Sequence, residues 1–123
     1  MARFLAGSRP ARIVAPPAAK TFDLDVVVPE FMAEIVSTLS QLGRQSSHIN
    51  QRSGVSVRLT VTNYETLVAN AARRSLRAGD ASVVPRISDL EALAASTSGK
   101  VELDTLDDDG GEIIDRLLRQ AVL

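Results

Sequence analysis

Apolar residues recur every three or four positions in four separate stretches of this chain, and glycine or proline bounds them. That cadence constrains the fold more than any other feature. Residues three and four apart share one face of an α-helix, whereas strand residues alternate between two faces. The first stretch carries Phe31, Met32, Ile35, Val36, Leu39 and Leu42. Pro29 suits its opening turn, where a missing N–H costs nothing, and Gly43 is the expected stop, with Arg44 near the negative end of the helix dipole. The second puts Tyr64, Leu67, Val68, Ala71 and Ala72 on one face, with Leu76 beside it and Gly79 as a left-handed stop. The third, bounded by Pro85 and Gly99, buries Leu90, Leu93 and Ala94. The last aligns Ile113, Ile114, Leu117, Leu118, Ala121 and Val122, then reaches Leu123 with its stripe intact and no cap, as expected of a helix that the natural chain continues. Thr62 with Glu65, and Ser88 with Glu91, have the spacing of capping boxes. The pattern predicts a mainly α fold, a small bundle of about four helices, over residues 21–123.

The connecting segments are less regular. Phe22, Leu24, Val26 and Val28 alternate with Asp23 and Asp25 as a short extended lead-in. Residues 45–54 are polar and read as a loop. Val55, Val57, Leu59 and Val61 alternate with Ser56, Arg58, Thr60 and Thr62, which taken alone is a strand signal. A single short strand without a partner cannot satisfy its backbone, so a turn or helical segment leading into the next helix competes with it. Val101-Glu102-Leu103 reads as an extended link, and Asp107 through Gly111 as an acidic turn. Residues 1–20 carry Arg3, Arg9, Arg12 and Lys20 with no acid, and Pro10, Pro16 and Pro17 block regular structure. They read as a disordered basic tail; a transit peptide would need an amphipathic period that is not evident.

Composition narrows the chemistry. Of 123 residues only 3% are aromatic, so the core rests on Ala, Val, Leu and Ile, and so thin a core predicts marginal stability or reliance on a partner surface. A net charge of -1 gives no global pull toward nucleic acid or an acidic membrane. No apolar run approaches the roughly 20 residues that cross a bilayer. The absence of cysteine excludes disulfides and thiolate zinc sites and suits a reducing cytoplasm, the expected location. His48, the single histidine, has no companion ligands and reads as a solvated loop residue. Asp107-Asp108-Asp109 lacks calcium-loop spacing. There is no phosphate-binding loop, no dinucleotide fingerprint and no nucleophile elbow. Arg73, Arg74 and Arg77 sit late in their helix, where they complement its dipole. Without aromatic interleaving they read as a solvated helix end, or as a face for an acidic partner, rather than a nucleic-acid stripe.

Three segments in order carry a family likeness: Val28-Pro29-Glu30-Phe31-Met32, Arg52-Ser53-Gly54-Val55-Ser56-Val57-Arg58-Leu59, and Asn63-Tyr64-Glu65-Thr66-Leu67-Val68-Ala69-Asn70-Ala71. Val84-Pro85-Arg86-Ile87-Ser88-Asp89-Leu90, Ser98-Gly99-Lys100-Val101-Glu102-Leu103 and the closing amphipathic stretch continue it. Over roughly residues 26–123 the chain resembles the C-terminal lid of magnesium-chelatase-like AAA+ ATPases, relatives of the chelatase ATPase subunit and of MoxR proteins. The resemblance implies a helical lid over a nucleotide held by a preceding α/β domain. Arg58 then looks like the sensor-2 arginine that reaches the γ-phosphate, Gly54 and Ser56 like its hinge, and Arg86 like a nucleotide-side or intersubunit residue. A guanidinium suits that role because it offers paired donors to phosphate oxygens and stays charged. The implied cofactors, ATP and Mg²⁺, belong to the intact parent. Its partners are the AAA+ core domain, neighbouring ring subunits and an unknown remodelled protein, with neither nucleic acid nor membrane. The phosphate-binding loop, the magnesium-binding acidic motif and the arginine finger are absent, so this chain alone is not expected to bind a nucleotide tightly or hydrolyse ATP. Beside this stands a reading of another class: a free-standing helical interaction or dimerisation module without nucleotide chemistry.

Overall fold

A computed structural model of the chain describes residues 23–52, 55–104 and 110–123. The expected basic tail 1–20, the hinge residue Gly54 and the acidic run Asp107–Asp109 lie outside the described residues. Helix α1 spans Glu30–Gln45. Pro29 stands just before it with φ -59° and ψ 142°, and its carbonyl accepts the Met32 N–H at 3.0 Å. Glu30 and Arg44 place acid and base at the ends the helix dipole favours. Met32, Ile35, Val36 and Leu39 form the buried stripe, while Phe31 turns outward at 50% exposure. Gly43 does not stop the helix, contrary to the expectation from sequence. It is a packing notch: a Cβ there would stand 3.3 Å from Val55 Cγ2, and Arg44 Nε donates to the Val55 carbonyl at 3.1 Å.

Helix α2 runs from Val57 to Ala78. The strand option for residues 55–61 fails, for a reason legible in burial. Val55 and Leu59, four apart, both bury beside Ile49, whereas Val57 and Val61 are 72% and 51% exposed. A helical period satisfies that division and a strand does not. Because α2 starts before Thr62, the Thr62–Glu65 capping box has no helix end to cap. The buried stripe is Leu59, Asn63, Leu67, Ala71 and Ser75, every fourth residue, and Tyr64 and Leu76 lie more exposed than the sequence implied. Gly79 ends α2 as expected, with φ 75° and its N–H donated to the Ser75 carbonyl.

Two residues of extended chain, Asp25–Val26 (β1), pair in parallel with Ser82–Val83 (β2), clipping the lead-in to the exit from α2. A single 3₁₀ turn, Ile87–Leu90, leads into α3, Glu91–Ser98. Ser88 does not cap it. Asp89 instead caps the start of the 3₁₀ turn, its carboxylate accepting the Arg86 backbone N–H at 2.8 Å. The link after α3 forms an antiparallel bridge between Leu103 and Ile49. Helix α4 spans Gly110–Val122, so Gly110 and Gly111 open the helix rather than close a turn.

The four helices form a closed ring in which α1 packs on α2 and α4, and α3 packs on the same two. The mainly α bundle of about four helices is therefore the observed fold. Its main core joins Met32, Ile35, Val36 and Leu39 to Leu67, Leu90 and Leu93, flanked by Leu117, Leu118 and Ala121. A second cluster of Ile49, Val55 and Leu59 closes the loop end, and Leu117 touches both. With no aromatic ring in the core among the described residues, each aliphatic side chain carries a large share of stability. Leu93→Ala should cost about 2–5 kcal/mol in urea unfolding, against less than about 1 kcal/mol for the exposed Val57→Ala. Gly79→Ala should cost about 1 kcal/mol by the same measurement, because an L side chain must occupy the left-handed region there.

Candidate functional site

Arg58 lies in the first turn of α2 and is exposed. No hydrogen bond or ion pair engages its guanidinium among the described residues. Ser56 directly precedes the helix in extended conformation, φ -79° and ψ 163°, with its carbonyl accepting the Leu59 N–H at 2.9 Å. Arg86 is elsewhere. It precedes the 3₁₀ turn, and its backbone N–H is tied to Asp89, which Arg74 also holds. Arg58 and Arg74 are sixteen residues apart on one helix, about 24 Å along its axis. The structure therefore puts Arg58 and Arg86 at opposite ends of α2 and does not combine them in one site. His48 is an exposed loop residue, and among the described residues no cluster of His, Asp or Glu could hold a metal ion.

The strongest polar cluster is one that sequence reasoning missed. Asp89 is 2% exposed, and both of its oxygens are engaged. Arg74 Nη2 donates to Oδ2 at 2.9 Å and Arg74 Nε lies 3.2 Å from Oδ1. Asn70 Nδ2 adds a donor to Oδ1 at 3.3 Å, and the Arg86 amide one to Oδ2 at 2.8 Å. Arg74 Nη2 also reaches the Val84 carbonyl at 2.7 Å. Burial pushes the Asp89 carboxyl up, but the Arg74 hydrogen bond, the Arg86 amide and the two guanidinium charges outweigh it and hold the group below its ordinary value. The hydrogen bond to Asp89 outweighs desolvation at Arg74 and raises that guanidinium further. Arginine spacing alone pointed to a helix end. Only the aspartate three residues past Arg86, at the start of a helical turn, signalled a cap in this place.

Three surfaces surround this cluster. Asn70, Arg73, Arg74, Arg77 and Ser88 line a polar cleft of about 490 Å³. Arg74, Asp80, Ser82, Val84 and Arg86 line a smaller one of about 280 Å³. On the other side of the 3₁₀ turn an apolar groove of about 470 Å³ lies between Ile87 and Leu90 and Leu118, Val122 and Leu123 at the end of α4, with Glu91 and Arg119 also lining it. No helix among the described residues is long and apolar enough to cross a membrane.

No family model matches the chain. No solved structure matches it either. A stretch of 29 residues is 69% identical to part of a "Lhr helicase/probable uracil glycosylase" from Mycolicibacterium smegmatis. That stretch is 24% of this chain and only 2% of the other protein's length, too short to transfer either a fold or an activity.

Asp89→Asn leaves donors of Arg74 and Arg86 facing a neutral amide in a buried place. The substitution should destabilise the bundle by about 2–4 kcal/mol near neutral pH. Because the folded carboxyl titrates below its ordinary value of 3.8, its contribution is complete above that pH and is lost as pH falls through the lower folded value. Urea unfolding of both proteins from pH 6 downward should show the difference shrinking only below that point.

Proposed function

We propose that the chain is a helical interaction module that docks another protein surface through the groove between the 3₁₀ turn and α4. The observation that carries this reading is the groove itself. It is almost wholly apolar, and Ile87, at its edge, is 54% exposed. A small monomer that leaves a contiguous apolar concavity open loses the burial free energy that closing it brings, about 25 cal/mol per Å². The thin aliphatic core supports the same reading, because a partner's surface adds burial that the bundle cannot supply internally. The isolated chain should unfold cooperatively and sediment as a defined oligomer, and Ile87→Asp should dissociate it while leaving the helical circular dichroism intact. A wild-type chain that is unfolded or aggregates without defined size counts against the module.

A second reading is favoured by one specific observation, the exposed guanidinium of Arg58 in the first turn of α2, which has no partner among the described residues. In it the bundle is the lid of a magnesium-chelatase-like AAA+ ATPase, docked on a nucleotide-binding core that brings ATP and Mg²⁺, with Arg58 on the γ-phosphate and Ser56 beside the hinge. Arg86, at the far end of α2, then serves a subunit boundary rather than the same nucleotide. Calorimetric titration of the isolated chain with MgATP should show at most very weak binding, whereas Arg58→Ala in the intact parent should lower ATP turnover by about tenfold or more. Tight nucleotide binding by the isolated chain overturns the lid reading.

A further inference from the structure

The 3₁₀ turn Ile87–Leu90 is a ridge between two unlike surfaces. Ile87 and Leu90 face the apolar groove, while Ser88 and Asp89 line the polar cleft with Arg73 and Arg77. Within that cleft the Asp89 charge is consumed by Arg74. Arg73 has one long hydrogen bond, 3.5 Å to Asn70 Oδ1, and neither Arg73 nor Arg77 pairs with a carboxylate among the described residues. Four residues apart on α2, the two guanidinia project on one side of the helix. A ligand for this face needs apolar side chains for the groove and paired carboxylates for the arginines.

The chain itself carries a surface of that kind. At the start of α1, Glu30 and Glu34 are exposed, four residues apart and free of ion pairs among the described residues. Beside them Phe31 is half exposed, the more exposed of the two aromatic side chains among the described residues. Two acids side by side with an apolar ring next to them complement the arginine pair on one side of the ridge and the apolar groove on the other. We propose that this face binds a second copy of the chain, with Phe31 of one copy in the groove of the next and Glu30 and Glu34 against Arg73 and Arg77. The proposal rests on the docking reading of the groove and names its occupant. The two surfaces differ, so they meet either reciprocally across a two-fold axis or head-to-tail, the latter leaving one surface of each kind for another copy. A head-to-tail contact closes into a ring when its rotation permits and otherwise extends. Opposed charges at the edge of an apolar contact select the register and exclude wrong partners more than they add affinity.

Sedimentation velocity with a charge exchange tests this. Arg73→Glu with Arg77→Glu, and separately Glu30→Arg with Glu34→Arg, should each convert the wild-type oligomer to monomer, with helical circular dichroism unchanged because all four side chains are exposed. Mixing the two variants should restore association, since each then offers the charges the other lost. Phe31→Ser should weaken association as Ile87→Asp does. If Ile87→Asp dissociates the oligomer while both charge variants still assemble, the proposed occupant is wrong and the groove reading survives. Charge variants that dissociate but fail to reassemble on mixing also overturn the proposal. A wild-type chain that stays monomeric overturns it together with self-association through the groove.

Discussion

The Arg74–Asp89 ion pair is the interaction on which the rest of this structure depends. Asp89 lies in a single turn of 3₁₀ helix, too short to hold its own geometry by backbone hydrogen bonds. The carboxylate ties that turn to α2 through Arg74 and Asn70, and to its own start through the Arg86 amide. Arg74 also ties the Val84 carbonyl, which fixes the path of the chain between β2 and the turn. Once the turn is placed, Leu90 and Leu93 enter the main core, Ile87 stands at the groove, and α3 takes its direction. A charge taken out of water is costly unless each of its lone pairs has a partner, and here both oxygens are satisfied. That requirement makes the cluster specific: few alternative packings of α3 offer Asp89 two guanidinium donors and an amide together.

The seam between α2 and α3 also carries polar contacts, all of them between neutral side chains. Asn63 Nδ2 donates to Thr97 Oγ1 at 2.9 Å, and Thr66 Oγ1 lies 3.4 Å from Ser96 Oγ. Across the other side of α2, Thr60 Oγ1 donates to Ser40 Oγ of α1 at 2.8 Å. Small and polar residues let these helices approach closely where large apolar side chains would hold them apart. Helix α2 thus joins the core through Leu59, Leu67 and Ala71 together with polar contacts of Asn63, Thr60 and Thr66. The apolar weight is carried by α1 and, in part, α4, whose outer edge remains open as the groove.

That division explains where interaction surfaces arise. A bundle rich in Ala and Val, with one tyrosine and no tryptophan, has little volume with which to fill the corner where α4 meets the 3₁₀ turn. The corner remains concave. On the other side of the same turn, consuming one arginine to neutralise Asp89 leaves two without acidic partners among the described residues. The apolar groove and the basic cleft therefore share one cause, the placement of a four-residue turn.

The sequence by itself determined the four helices, because helical periodicity is local: spacing in α1 and α4, and the glycine at 79, specify structure without reference to distant residues. It also excluded phosphate-loop and thiolate chemistry, which need residues that are absent. Tertiary structure alone decided three things. It resolved residues 57–61 as helix, directly after an extended Ser56, since burying Val55 and Leu59 together against Ile49 outweighs the alternation that the same residues display. It made Gly43 a notch rather than a stop, because Val55 packs against it from across a loop. It separated Arg58 from Arg86 and gave Arg74, rather than its neighbours Arg73 and Arg77, to Asp89. Three arginines within five residues look alike in sequence; which of them faces a buried carboxylate depends on how α2 is rotated against α3, and that rotation is set by packing across the whole bundle.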